Sequence, residues 1–209
     1  MNKGKVLIIT GLLLIAAALC LSGYNLWSDY NAGKAADEAA LKVQSMTGTD
    51  PVPAEGRLLS DDPADIEYPD YILNPDMEMP VKTVDGRDYI GTLSIPSLGI
   101  LLPVQNEWNY PNLRVSPCRY SGTAYKGNFV ICAHNYDRHF GQIKNLRYGD
   151  KISFLDLDGN RFSYIIEEVE TLRPTAVEEM TSDEWDLTLF TCTLGGSTRI
   201  AVRCMKEGK

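Results

Sequence analysis

The spacing of hydrophobic and polar positions changes three times along this chain. An uncharged run, VLIITGLLLIAAALCLSG, occupies positions 6–23, and small or apolar residues recur at helical spacing over 29–47. Proline and acidic residues are then frequent until about position 87, after which short β-branched and aromatic runs alternate with turn residues. The pattern predicts, in order, an apolar helix, a second helix, a linker and a β domain.

The apolar run is long enough to cross a lipid bilayer. At about 1.5 Å per residue it spans roughly 27 Å, close to the hydrocarbon thickness of about 30 Å. Lys3 and Lys5 precede the run, and Tyr24 and Trp27 follow it as interfacial aromatic residues do. The flanking lysines predict a cytoplasmic N-terminus and an external C-terminal body.

We interpret residues 1–5 as the cytoplasmic N-terminus and residues 6–27 as a single-pass transmembrane signal anchor in the cell membrane. A cleaved signal sequence is the alternative, because Ala16, Ala17 and Ala18 supply the small residues of a cleavage site. The anchor is favoured because a secretory apolar region is usually only about 7 to 15 residues long.

Two segments separate the anchor from the β domain. Residues 28–47 predict a stalk helix, for which a solvated helix is favoured over packing on the domain or pairing with a second copy. Residues 48–87 hold many prolines and acidic residues, a composition typical of an extended linker. The apolar stretch 68–79 could alternatively lie over a groove on the domain as a lid.

Residues 88–209 have the pattern of an all-β domain. Asp158-Gly159 lies between two apolar runs, as the turn of a two-residue hairpin would. Few long helical patterns interrupt the runs, which indicates a sandwich or a closed barrel of seven or eight strands with short helices. The predicted strands are 89–95, 100–105, 128–133, 151–157, 161–169, 187–192 and 199–204.

The composition and net charge of the chain disfavour several classes of function. The net charge of −8 argues against a nucleic-acid partner, because phosphate binding depends on clustered Lys and Arg. The sequence holds no P-loop or dinucleotide-binding fingerprint, and we predict no cofactor and no metal. Four of the five cysteines lie outside the anchor. If Cys192 is free, at most one disulfide can form among Cys118, Cys132 and Cys204.

Cys192, Arg199 and His134 have the clearest chemistry. Cys192 ends one predicted strand and Arg199 opens the next, so the loop 193–198 can bring both to one end of a sheet. His134 follows an apolar strand and precedes a polar turn. A thiolate can attack a carbonyl, an imidazolium can protonate a leaving amine, and a guanidinium can stabilise an oxyanion or hold the substrate backbone.

Each of these residues also has an ordinary structural explanation. A strand cysteine is often small core filler, and an arginine at a strand end is often solvated. A metal site is disfavoured because paired CxxC or HxxxH spacing is absent from the sequence, and His139 suits a surface or packing role better. The residues of such a site would be Cys132, His134, His139 and Cys192.

Four stretches of the sequence form a recognisable combination. Residues 188–192 read TLFTC, Arg199 opens the apolar run RIAV, and His134 lies in AHNYDRHFGQIKNL. Residues 90–104 read IGTLSIPSLGILLPV. Together they resemble the sortases, membrane-anchored cysteine transpeptidases of Gram-positive bacteria with a Thr-Leu-x-Thr-Cys signature. Ala133 departs from the glycine that commonly precedes the histidine of that family.

The resemblance implies a closed sortase-like β-barrel that acts on secreted surface proteins with a Leu-Pro-x-Thr-Gly-like sorting motif. Cys192 would attack the motif, His134 would transfer the proton, and Arg199 would steady the tetrahedral oxygen or the peptide. The thioacyl intermediate would pass to an amine of a cell-wall precursor or a pilin. Thr191 is expected to contact substrate through its hydroxyl or backbone, and Arg203 is the alternative cation.

Two other functions are also compatible with the sequence. A thiol peptidase would transfer the acyl group to water, and added amine would then give no ligated product. A non-catalytic, membrane-tethered β domain would bind a peptide or wall polymer, and Cys192 would then be a buried structural thiol that resists alkylation.

Overall fold

The computed structural model describes residues 3–47, 57–58 and 66–208 of the chain. The helices are α1 (Lys3–Met46), α2 (Asp70–Leu73), α3 (Tyr110–Leu113) and α4 (Val177–Met180). The strands are β1 (Arg57–Leu58), β2 (Ile66–Glu67), β3 (Lys82–Val84), β4 (Arg87–Ile95), β5 (Ile100–Gln105), β6 (Cys118–Ser121), β7 (Phe129–Cys132), β8 (Lys151–Asp156), β9 (Arg161–Leu172), β10 (Leu187–Cys192) and β11 (Arg199–Lys206).

Eight of these strands close into one mixed β-barrel. Their order is β4-β5-β6-β7-β10-β11-β9-β8, and β8 pairs back onto β4. The β5–β6 and β7–β10 pairs are parallel, whereas the other neighbours in the barrel are antiparallel. The structure therefore confirms the closed barrel rather than the sandwich. The short strand β3 pairs with the beginning of β4 outside this ring.

The barrel interior is filled by side chains from alternate strand positions. In β8 and β9, the buried residues Phe154, Phe162 and Tyr164 alternate with more exposed ones, as the two-residue period of a strand requires. All four residues of β7 are buried, because this strand is covered on both faces. The rings of Phe129 and Phe154 meet edge to face with centroids 5.0 Å apart.

The predicted strands correspond to β4, β5 and β7 to β11, whereas the two-residue strands β1 and β2 and the strands β3 and β6 were missed. β3 has only three residues, and its burial pattern gives no clear alternation. β6 has four residues, and its pairing with β7 is interrupted by a register shift between Arg119 and Ser121. Strands this short or irregular leave no periodic signal in the sequence.

The β8–β9 connection turns at Asp158-Gly159, as expected, but it has four residues rather than two. The buried carboxylate of Asp156 accepts hydrogen bonds from the backbone N–H groups of Asp158 and Asn160, at 3.0 and 2.8 Å. The Tyr125 hydroxyl donates to the same carboxylate at 2.9 Å. These bonds organise the longer loop, and Gly159 supplies the positive φ of 90° that the turn requires.

The predicted anchor and stalk form one continuous helix, α1, of 44 residues. In the described part of the chain, α1 is the helix long and apolar enough to cross a membrane, and its 18-residue apolar window has a mean hydropathy of 2.6 and no burial against the protein. The structure thus joins the two predicted segments without a break.

The stalk part of α1 packs on the barrel, so the favoured interpretation as a solvated helix is wrong. Small side chains allow α1 to approach β3, β4 and β5 closely. Ala39 and Val43 form a buried cluster with three barrel residues, Val84, Tyr89 and Leu157. The buried residues of α1 are Ala32, Gly33, Ala36, Ala39, Ala40 and Val43.

The described end of the linker also packs on the barrel. Tyr71 of α2 is buried, and its ring stacks on Tyr125 with centroids 4.9 Å apart and meets the edge of Phe162 at 5.2 Å. Met79 is buried as well. Residues 48–56 and 59–65, where the remainder of the predicted linker lies, are outside the described residues.

His139 is buried where the loop after β7 meets α1, in agreement with the packing role expected from the sequence. Within the part of the chain that the structure describes, neither ring nitrogen makes a well-aligned hydrogen bond, and its weak polar contacts are with the backbones of Ala32 and Val115. Burial lowers the pKa of His139 to about 4, and the backbones of Ala32 on α1 and of Val115 partly offset this effect. Since burial disfavours the charged ring, protonation must weaken the packing around it.

We expect acid to destabilise the protein through His139. The folded-state pKa of about 4 lies below the ordinary value of about 6.5, so the full stability is present above pH 6.5 and is lost as the pH falls towards 4. The free energy of unfolding should decrease by up to about 1.4 kcal/mol per pH unit in this window, or about 3 kcal/mol in total. Urea unfolding of the full chain in detergent micelles measures this change.

The matched variant is His139→Leu, which keeps an apolar side chain of similar volume but cannot be protonated. Between pH 6.5 and 4, its free energy of unfolding should depend less on pH than that of the unaltered protein. The remaining dependence would come from the carboxylates. Equal slopes for the variant and the unaltered protein would contradict the assignment.

Candidate active site

Cys192 and Arg199 lie side by side at one edge of the barrel. They are register partners at the end of β10 and the beginning of β11. The backbone N–H of Thr193 donates to the carbonyl of Thr198 at 3.0 Å, which closes the loop between the two strands. Gly195 and Gly196 both have a positive φ within this loop, which allows the chain to reverse its direction there.

The parallel pairing of β7 with β10 brings His134 to the same edge. Cys132 is the register partner of Phe190, and the pairing continues because the backbone N–H of Ala133 donates to the carbonyl of Phe190 at 3.2 Å. The Thr191 hydroxyl donates to the carbonyl of Ala133 at 2.9 Å. The chain therefore leaves the strand at His134, next to the end of β10 that carries the cysteine.

The His134 side chain is exposed at this edge, and one face of its ring stacks on a neighbouring ring. Its imidazole is nearly parallel to the ring of Tyr136, with centroids 4.1 Å apart and an interplanar angle of 11°. Burial lowers the pKa of His134, and Arg114 lowers it further. The Asn135 side chain and the Asp29 carboxylate act in the opposite direction.

Cys192 is the exposed thiol of the barrel. All five cysteines are free, and the three others in the barrel, Cys118, Cys132 and Cys204, are buried. Burial raises the pKa of Cys118 to about 12 and also raises the pKa of Cys132 and Cys204. These buried thiols are poor nucleophiles, because the thiolate is the reactive form.

An apolar groove begins at Cys192. Aromatic rings form one wall, where Trp108 stacks on Tyr120 at 5.7 Å and Tyr120 meets the edge of Phe190 at 5.1 Å. Arg199 lies beside Cys192 in this groove. The groove is lined by Trp108, Tyr110, Leu113, Tyr120, Cys132, Ala133, Arg173, Pro174, Ala176, Val177, Met180, Phe190, Thr191, Cys192 and Arg199.

A second cavity also borders Cys192. It shares Thr191 and Cys192 with the apolar groove, and its wall includes one acidic and one basic residue, Asp137 and Lys144. Its lining residues are Asn135, Asp137, Phe140, Gly141, Gln142, Lys144, Thr191, Cys192, Thr193, Leu194, Ser197, Thr198 and Ile200. Cys192 therefore borders two cavities.

The two arginines considered from the sequence lie in different environments. Arg199 is partly exposed and donates to the carbonyls of Gly196 and Thr198, both at 3.0 Å, so its guanidinium supports the loop next to the thiol. Arg203 is buried and donates to the Glu170 carboxylate at 2.7 Å. It also donates to the Thr188 hydroxyl at 3.0 Å. Arg203 is therefore held in a structural ion pair and does not line the groove.

The Thr191 hydroxyl already forms a hydrogen bond within the sheet. Because it donates to the carbonyl of Ala133, its proton fixes the end of β10 against the end of β7. Thr191 nevertheless lines both the apolar groove and the second cavity. Its expected contact with substrate remains a prediction.

Several residues at this edge were not identified from the sequence. The aromatic wall combines Trp108 and Tyr120 with Phe190, which come from three separate parts of the chain. Tyr136 is only two positions from His134, but its stacking on that ring depends on the path of the loop. The aromatic residues around positions 108–120 were the sequence feature that could have predicted this wall. Their spacing does not show which side of the barrel their rings share.

Comparison with known proteins identifies relatives of this chain. A family model described as the sortase domain matches residues 93–207, more than half of the chain. Sortase A of Bacillus anthracis is 29% identical over 206 residues, which cover 92% of this chain and 89% of that protein.

Solved structures show the same similarity. Sortase A of Listeria monocytogenes superposes with a TM-score of 0.51 and 26% identity, over 57% of this chain and 87% of that chain. Sortase C of Clostridium perfringens, solved with the C-terminal cell wall sorting motif, superposes with a TM-score of 0.52 and 25% identity, over 65% of this chain and 81% of that chain.

The two arginines should differ in their effect on stability. Arg203→Ala would remove the hydrogen bonds that the buried guanidinium donates to Glu170, Thr188 and the Glu179 carbonyl, so we expect the free energy of unfolding to fall by about 2 kcal/mol or more. Arg199→Ala removes only bonds to a partly exposed loop and should cost about 1 kcal/mol or less. Urea unfolding in detergent micelles measures both, and equal losses would contradict the assignment.

Proposed function

Because this chain belongs to the sortase family, we propose that it is a cell-surface cysteine transpeptidase that cleaves an LPxTG-like sorting motif through a thioacyl-enzyme intermediate. The observation that carries this proposal is the position of Cys192. Its thiol is exposed, pairs in register with Arg199, and lies where an apolar groove meets a second cavity. Two cavities at one sulfur offer separate places for the donor peptide and the amine acceptor.

The apolar groove is the proposed site of the donor peptide. Leucine and proline side chains of a sorting motif would bury apolar surface against the aromatic wall of Trp108, Tyr120 and Phe190. The scissile carbonyl would then lie at the end of the groove, next to Cys192. The sorting motif bound by the Clostridium perfringens relative is in line with this class of ligand.

Acylation would proceed at Cys192. The thiolate attacks the carbonyl of the motif threonine, the carbon–sulfur bond forms, and the carbon–nitrogen bond to the next residue breaks. His134 donates a proton to the departing amine. Arg199 steadies the tetrahedral oxygen or the peptide backbone, in exchange for its present bonds to the loop carbonyls.

The second cavity is the proposed entry for the amine acceptor, a group of a cell-wall precursor or a pilin. The amine attacks the thioester, its proton passes to His134, and Cys192 leaves as the thiolate, so the starting thiolate and imidazolium are restored. One amide bond replaces another, so the reaction needs no ATP.

The proposed topology follows from α1. Residues 6–27 would span the membrane, and the flanking lysines would keep the N-terminus in the cytoplasm. Residues 28–47 would form the stalk, residues 48–87 the linker, and residues 88–209 the catalytic domain outside the cell. The substrates would be secreted surface proteins that reach the outer face of the membrane.

Intact mass spectrometry tests the proposed reaction. The full chain in detergent micelles is incubated with a panel of LPxTG-like peptides, with and without an amine acceptor such as an oligoglycine or a lysine-containing peptide. We expect an acyl adduct on Cys192 that the amine converts into a new peptide bond. If the acyl adduct breaks down at the same rate with and without amine, and no ligated product forms, the protein is a hydrolase.

A binding domain without turnover would give a third result. It would form no adduct across the panel, although its exposed Cys192 would still react with a small alkylating reagent. Cys20→Ala is the background for the alkylation assay, because Cys20 is the other exposed thiol.

We expect the three proposed catalytic residues to respond differently to substitution. Cys192→Ala should abolish acyl-enzyme formation while the fold is kept, whereas Cys20→Ala should retain it. His134→Ala and Arg199→Ala should lower turnover by roughly 10²- to 10⁴-fold, the range typical of acid–base and oxyanion groups. Arg161→Ala is the matched arginine control, because Arg161 is exposed at the beginning of β9.

Steady-state assay of ligated product measures these effects. Full activity of His134→Ala, or loss of activity in Arg161→Ala equal to that of Arg199→Ala, would contradict the assigned roles.

A further inference from the structure

The loop after β7 is held against α1 by several contacts. The backbone N–H of Asp137 donates to the Asp29 carboxylate at 2.9 Å. Arg138 forms an ion pair with Asp37 and lies against Gly33, where an added Cβ would be 2.2 Å from the Arg138 Cδ. This loop carries His134, so the helix that follows the membrane segment supports one side of the candidate active site.

One line of contacts runs from α1 to the His134 ring. The Ser28 and Tyr136 hydroxyls form a hydrogen bond of 3.2 Å. The Tyr136 ring stacks on His134, and its other neighbour is the buried ring of His139, which it meets at 5.4 Å with an interplanar angle of 67°. Tyr136 is therefore held by α1 at its hydroxyl and by two histidines at its ring.

From this geometry we propose that Tyr136 is a positioning residue for His134, and that Ser28 on the anchor helix fixes Tyr136. The proposal rests on the proposed function, since it assigns a partner to the proposed general acid and base. It goes beyond that function because it makes part of the membrane-anchored helix a component of the active site.

The physical reason is the freedom of the histidine side chain. His134 lies two residues beyond the end of β7, so the sheet does not fix its ring. A parallel ring at 4.1 Å restricts rotation of the imidazole, and the Ser28 bond in turn restricts Tyr136. A displacement of about 1 Å in a catalytic group can cost up to roughly 10²-fold in rate.

The charge state of His134 provides a separate signature. The groups that act on it are Asp29 on α1, Arg114 after α3, and Asn135 and His139 in its own loop. Tyr136 covers one face of the ring and contributes to its burial. Removing the Tyr136 ring would admit water, and the pKa of His134 should then rise towards the ordinary value of about 6.5.

Three variants of the full chain in detergent micelles test the proposal. Tyr136→Leu removes both the stacked ring and the hydroxyl. Tyr136→Phe and Ser28→Ala each remove only one partner of the hydrogen bond. Tyr148→Leu is the matched control, because Tyr148 is an exposed tyrosine of the barrel surface. Turnover is measured against pH, and NMR titration of the two histidine rings gives their pKa values without any need for activity.

We expect Tyr136→Leu to lower kcat about tenfold and to move the His134 titration to higher pH, and Tyr148→Leu to change neither. Tyr136→Phe and Ser28→Ala should each lower kcat severalfold and leave the His134 titration in place. Their double variant should be no slower than either single variant, because both remove the same bond.

Other results would overturn the proposal. These are an unchanged kcat and His134 titration in Tyr136→Leu, or additive effects of Tyr136→Phe and Ser28→Ala. If Tyr136→Leu fails to fold, the two hydroxyl variants still decide the question. An unaltered chain that forms no acyl-enzyme would refute the proposed function instead, and the NMR titration would still report on the contact of Tyr136 with His134.

Discussion

The parallel pairing of β7 with β10 is the contact on which the candidate active site depends. It joins strands whose last paired residues, Ala133 and Thr191, are 58 positions apart in the chain. Both strands end at the same edge of the barrel, so the loops that follow them also begin there. An antiparallel pairing would send His134 to the opposite edge from Cys192. The Thr191 hydroxyl secures the last step of this pairing, and its structural value therefore lies in holding the two strand ends together.

The second constraint is the continuity of α1. Because the helix has no break, the packing of its C-terminal part on the barrel also sets the direction in which its apolar part extends away from the barrel. Ser28 directly follows Trp27, and the contacts with the loop after β7 extend to Asp37. At 1.5 Å per residue this region is only about 15 Å long. In the proposed topology the candidate active site would thus lie close to the external face of the cell membrane, within reach of secreted proteins that emerge there.

The sequence predicted the features that depend on local pattern. The apolar run, the seven main strands and the adjacency of Cys192 and Arg199 all follow from residue spacing and loop length. The sequence did not predict features that depend on which surfaces meet. Arg203 illustrates this limit: the sequence offered it as the alternative cation, but its burial beside Glu170 depends on β9 and α4. The stacking of Tyr136 on His134 was missed for the same reason.

The interface between α1 and the loop after β7 is more polar than stability alone would favour. His139 is buried there with only weak contacts to the backbones of Ala32 and Val115, and a buried polar group with weak partners stabilises a fold less than an apolar one. An apolar residue would pack in that space without this penalty. Sites that depart from the best choice for stability often have a functional reason. Here, the same interface holds Tyr136 against the ring of His134. Orientation of that ring would be the functional reason for its polar residues.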